Sequence, residues 1–140
     1  MPCKEAVMRS LKYLLALLVA LAVLHGCSTD TPEDVARAFT EAAYSGDVER
    51  TIELVDLPAG TPSGRSERVH GKLQVMTGNA ANRAAALGGI DRISVAPAEY
   101  SDDHTRATVP VTLSFKASGA RDHTDWVHLV KAGGSWKIRL

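Results

Sequence analysis

"TRATVPVTLSFKA", Thr105 to Ala117, sets Ala107, Val109, Val111, Leu113 and Phe115 against polar partners at every second position. A period of two sustained this long is the pattern of a β-strand with one face turned to a core. Pro110 falls on the opposite face and has no N–H to give, which predicts that one side of this strand is free of a neighbour. Working outward, "IDRISVAPAEY" (90–100) reads as a strand before it and "SDDH" (101–104) as the turn between them. After it, "SGARD" turns the chain and "HTDWVHLVKA" (123–132) returns. "GGS" turns it again, and "WKIRL" (136–140) closes with Trp136, Ile138 and Leu140 facing inward.

Upstream of Ile90 the apolar period changes to that of a helix. "TPEDVARAFTEAAYSGD" begins with Thr31 as a cap, Pro32 where a missing N–H costs nothing, and Glu33 and Asp34 at the positive end of the helix dipole. Val35, Ala38, Phe39, Ala42 and Ala43 share one face, and Gly46 supplies the left-handed stop. Asp47 caps a short second helix, "VERTIELVDL", and "PAGTPSGRS" is a polar linker. From Glu67, a third stripe of Val69, Leu73, Met76, Ala80, Ala84 and Leu87 runs past Gly71 and Gly78 to the stop at Gly88 and Gly89. The expected fold class is α+β: three N-terminal helices packed on one face of a curled four-stranded antiparallel sheet.

The beginning of the chain follows other rules. Lys4, Arg9 and Lys12 precede "YLLALLVALAVL" (Tyr13 to Leu24), twelve residues without a charge. A membrane span needs about 20 apolar residues, whereas this length suits the apolar core of a cleavable secretory signal. Cys3 and Cys27 are the only cysteines, and cleavage before Cys27 removes Cys3, leaving one thiol that calls for an explanation.

The box Leu24-His25-Gly26-Cys27 resembles the cleavage site of bacterial lipoprotein precursors, in which the cysteine receives a diacylglycerol. Each buried acyl methylene contributes about 0.8 kcal/mol, so several chains together make a lasting anchor. By the sorting rule of that class, Ser28 in place of an aspartate implies export to the inner leaflet of the outer membrane, with the domain in the periplasm. The expected organisation is a signal peptide over 1–26, lipidated Cys27 with a tether through residue 30, and one domain over 31–140. Removing three basic residues and one acid from 16 of each leaves 13 and 15, a formal charge of −2. That balance gives no electrostatic footprint for nucleic acid.

The helix-opening stretch "TPEDVARAFTEAAYSGDVERTIELV", the "GGI" before the strands and the closing "HLVKAGGSWKIRL" resemble small bacterial lipoproteins carrying domain of unknown function 4878, with a nuclear-transport-factor-2-like or cystatin-like fold. That resemblance implies a sheet curled around a helix, with a conical pocket between them, and no established chemistry. Phe39, Tyr44, Met76, Phe115 and Trp136 are the expected lining of that pocket.

Residue types suited to catalysis are present as Tyr44, Tyr100, His70, Asp91 and Glu99, but in no recognisable spacing. His123 and His128 stand five apart, on opposite faces of a strand, and Asp102, Asp103 and His104 gather in a turn. No HExxH, CxxC or calcium-loop pattern occurs, so no metal or other cofactor is expected. If Val127 and Leu129 face the helices, then Trp126, His128 and Val130 form an apolar patch on the outer face, a place for a second copy or a protein partner. The opposite register puts Trp126 in the core. The sequence points to a lipid-anchored, non-catalytic binding or interaction module, the alternative being an enzyme or small-ligand binder that uses the cone.

Overall fold

The computed structural model describes residues 30–140. The segment expected to be a signal peptide (1–26) and the expected lipidation site Cys27 lie outside the described residues. Among the described residues three helices, α1 (Pro32–Ser45), α2 (Val48–Leu54) and α3 (Ser63–Ala86), precede five strands, β1 (Ile90–Val95), β2 (Glu99–Tyr100), β3 (Arg106–Phe115), β4 (His123–Ala132) and β5 (Ser135–Ile138).

Local chemistry accounts for the helix ends. Thr31 Oγ1 accepts the Asp34 N–H at 3.2 Å, and Gly46 closes α1 at φ 80°, a conformation glycine adopts without a Cβ penalty. The Asp47 carboxylate accepts the Arg50 N–H at 3.0 Å to start α2. The start of α3 corrects the sequence reading: "SGRS" is its first turn rather than linker. Its cap position is Pro62, with no side-chain hydrogen bond to announce it.

The sheet is antiparallel in the order β1-β3-β4-β5, with β2 also on β3. Two expectations are corrected here. "IDRISVAPAEY" is not one strand, because Ala96-Pro97-Ala98 breaks it into β1 and β2, which makes five strands instead of four. Nor is either side of β3 free, since β1 and β2 flank it on one side and β4 on the other. Pro110 is tolerated because it sits at the break. Its carbonyl accepts the Ala96 N–H at 3.0 Å, so the side on which its own N–H is missing faces the gap between β1 and β2.

Ala107, Val109, Val111, Leu113 and Phe115 of β3 are all buried. Ala107, Val109 and Val111, with Val127, Leu129, Trp136 and Ile138, meet Val35 and Ala36 of α1 and Leu73 of α3, while Leu113 and Phe115 pack on Ala84 at the other end. The centre of the cone is therefore filled by side chains. Gly133 and Gly134, both at positive φ, make the two-residue turn that sets Ala132 opposite Ser135 and pairs β5 with β4. The other side of β5 is tied down as well: Val55 bridges Ile138, the Asp56 N–H donates to the Ile138 carbonyl at 2.8 Å, and the Trp136 N–H donates to Asp30 Oδ2 at 3.1 Å.

Candidate functional site

Open space lies at the side of the cone. β5 pairs only with Leu129–Ala132, which leaves the first half of β4 paired with β3 on one side and with no strand of the described residues on the other. A groove of about 380 Å³ runs there, between β4 and the flanks of α1 and α3. Phe39, Met76, Val127 and Ile138 give it apolar walls, and Tyr44, His123 and Asp125 bring polar atoms to it.

These three polar groups meet because of two periodicities. Residues two apart on a strand share a face, so His123 and Asp125 point the same way, and His123 Nε2 stands 2.8 Å from Asp125 Oδ1. Tyr44, one turn beyond Thr40 on the helix face that looks at β4, donates its O–H to Asp125 Oδ2 at 3.3 Å. An ionised carboxylate only accepts, so both bonds run toward Asp125, which keeps lone pairs for a further donor. Thr40 is occupied, its hydroxyl donating to the Ala36 carbonyl at 2.9 Å.

Burial, first, and then the negative charge of Asp125 and the hydrogen bond to it push the Tyr44 phenol up from 10.0 to about 12, with Arg83 pulling the other way. A group whose pKa rises on folding contributes stability below its unfolded value. That contribution is therefore complete below pH 10 and is lost as pH climbs through about 12. Phenolate absorbance, assigned with a Tyr44→Phe variant, should give a midpoint near 12. In Asp125→Asn the midpoint should fall yet stay above 10, since burial, the larger cause, persists.

Of the five residues expected to line the pocket, Phe39, Tyr44 and Met76 line this groove. Phe115 does not, because it lies at the far end of β3, opposite Ile90 and packed with Ala84 and Leu113. Trp136 does not either: only 7% exposed, it is part of the core, its ring centroid 6.0 Å from that of Tyr100. On the outer face, Trp126 is 57% exposed opposite Pro110, His128 is exposed and bonded to Thr108 through Nδ1 at 3.1 Å, and Val130 is half-buried. Trp126 and His128 also border the groove from the strand edge.

Tyr100 and Glu99 lie away from Tyr44, in a wider concavity of about 540 Å³ with Arg106 and Arg139. His70 is exposed on α3 and Asp91 on β1. The turn "SDDH" has its own internal logic: Asp103 accepts from Ser101 Oγ, Thr105 N–H and Thr105 Oγ1, and the Ser101 bond foremost holds its carboxyl down at about 2. Sequence reasoning missed the His123–Asp125 pair by comparing His123 with His128. The i, i+2 spacing on a strand was the signal that could have found it.

One solved structure shares this architecture. A protein from Campylobacter jejuni, named an NTF2-like transpeptidase with a mark of provisional assignment in that name, matches over 79% of this chain and 98% of its own at 24% identity and a TM-score of 0.71. At that identity the likeness is one of fold, and the three helices over a curled antiparallel sheet are NTF2-like. The intermembrane-space region of the chloroplast protein ARC6 aligns over 76% of this chain and 88% of its own at 21% identity, with a TM-score of 0.38. No curated protein matches. The model of the domain of unknown function DUF4878 matches residues 25–139, most of the chain, and the protein belongs to that family.

Proposed function

We propose that this protein is a lipid-anchored envelope protein whose domain binds a small amphipathic ligand, an ammonium or similar donor on an apolar body, in the groove beside β4. One observation carries the binding half of this reading: apolar walls and the Tyr44–Asp125–His123 group converge on a single open groove of about 380 Å³. Ligand sites characteristically combine an apolar lining with a few placed polar groups. The carboxylate, already oriented by two donors, is the natural partner of a cationic head.

Hexylamine should bind the purified domain saturably and change the fluorescence of Trp126 at the groove's border, while hexanoate should not. Asp125→Asn should weaken the amine about tenfold, the usual scale for losing one charge-assisted hydrogen bond. Equal binding of amine and carboxylate, or indifference to Asp125→Asn, would defeat the reading.

The anchoring half rests on the signal-like segment and the box ending at Cys27. Cys27→Ala should leave an uncleaved precursor that takes up no labelled fatty acid, and Cys3→Ala should change neither property. Acylation that survives in the Cys27 variant would remove the anchor. The His123–Asp125 pair supports a second reading, an enzyme using the imidazole as a general base. In that case a turnover found by substrate screening should disappear in His123→Gln.

A further inference from the structure

The charges of the domain are unevenly placed. α3 carries four Lys and Arg against one acid, a local charge of +3, which leaves nine against fourteen, or −5, for the rest of residues 27–140. Arg65, Arg68 and Lys72 follow one another at steps of three and four, so they form a single stripe along the first half of the helix. All three are exposed, and among the described residues none takes part in an ion pair. Val75, 65% exposed, continues the stripe one turn further on. The core-facing side of α3 holds Leu73 and Thr77, so the stripe turns away from the domain.

The stripe also lies at the end of the domain where the chain enters it. Ala84 packs at the Tyr44 end of α1, whereas Leu73 belongs to the core that holds Val35 and Ala36, so the two helices run in the same direction. Arg65, Arg68 and Lys72 precede Leu73 and therefore stand at the level where α1 begins. Asp30 is fixed at that end, its carboxylate accepting the Trp136 N–H at 3.1 Å. Cys27 stands three residues before Asp30, a reach of at most about 11 Å of chain.

On the anchoring reading given above, we infer that the basic stripe of α3 docks the domain on an anionic phospholipid surface, beside the lipid on Cys27. Two attachments then act together. The acyl chains hold the protein at the bilayer, and the three cations choose the face it turns toward it. Other surfaces at this end carry the wrong sign. Asp34 lies in the first turn of α1, and the 101–104 turn brings Asp102 and Asp103 to the same end, since Thr105 is bonded to Lys131, the partner of Trp136. An anionic bilayer repels those groups and attracts the stripe. Each basic residue held near such a surface favours the docked state about fivefold, so three together give about a hundredfold. The short reach from Cys27 favours the bilayer over an acidic protein, because it keeps the stripe close to the head groups at all times.

The acylated protein reconstituted in vesicles would test this. Maturation removes Cys3 and acylation blocks Cys27, so a cysteine introduced at Asn79 or at Ser118 is the only thiol left to carry a dye. Asn79 is exposed seven residues after Lys72, on the same face, and Ser118 is exposed in the turn before β4, at the opposite end of the sheet. Energy transfer from Asn79→Cys to a dye on the lipid head groups should be about twofold or more higher with about one-third phosphatidylglycerol than with phosphatidylcholine alone. Salt at about 0.5 M, or Arg65→Glu, Arg68→Glu and Lys72→Glu together, should remove that gain, and Ser118→Cys should show none. Equal transfer on both vesicles, or a gain that the triple variant keeps, would overturn the inference while flotation with neutral vesicles still upheld the anchor. Failure to float with neutral vesicles would remove the anchor and the inference with it. Tighter binding of poly-glutamate than of the anionic bilayer, at equal concentration of negative charge, would assign the stripe to an acidic protein and overturn the proposal.

Discussion

Trp136→Ala lowers the stability of the domain by about 3 to 5 kcal/mol, the range for deleting a large buried aromatic side chain. Trp136 is 7% exposed, Lys131 Nζ stands 5.7 Å from its ring centroid, and its backbone is held to Asp30. Removing the indole leaves a cavity beneath the strand that closes the sheet, and a domain of this size has only about 5 to 15 kcal/mol in total. Trp126→Ala, on the outer face at 57% exposure, should cost less than about 1 kcal/mol. Urea midpoints of the two variants provide the measurement. Equal large losses would contradict the observed register, in which Trp126 pairs with Pro110 and Val127 with Val109.

Leu73→Ala should cost about 2 to 5 kcal/mol and should act on α3 in particular. Of that helix's 24 residues only Leu73, Thr77 and Ala84 are buried. Thr77 adds little, because its buried hydroxyl has no hydrogen-bond partner. Leu73, fully buried against the main core, is therefore the chief apolar attachment of a long exposed helix. Trypsin should report this directly: cleavage after Arg65, Arg68 and Lys72 should accelerate well before the variant unfolds globally. A lowered urea midpoint with unchanged cleavage would mean that α3 unfolds only together with the sheet.

The sheet was legible because its strands obey a strict period, and one buried face fixes which residues alternate inward. The break at Ala96-Pro97-Ala98 was harder to see. The run looks continuous in composition, and only the hydrogen bond from the Ala96 N–H to the Pro110 carbonyl shows that the break lies opposite Pro110. The first turn of α3 escaped notice because Pro62 carries none of the usual capping groups. Half of the candidate site follows from the strand spacing of His123 and Asp125. The other half, Tyr44, comes from 81 residues away and depends on how α1 crosses the sheet, which no local pattern encodes. The groove itself lies beside the half of β4 that β5 does not cover, and composition does not determine how far that cover reaches.

The inward-facing carboxylate on the open half of β4 also bears on solubility. An unpaired strand edge is a template for indiscriminate cross-β growth, and proteins guard such edges with charges that an invading strand would have to bury. Among the described residues, Asp125 is the one acidic side chain bordering the groove, on a strand that is otherwise rich in β-forming residues. An apolar residue there would leave this edge of β4 less guarded, so the group that orients Tyr44 and His123 also places a charge where another strand would have to bury it.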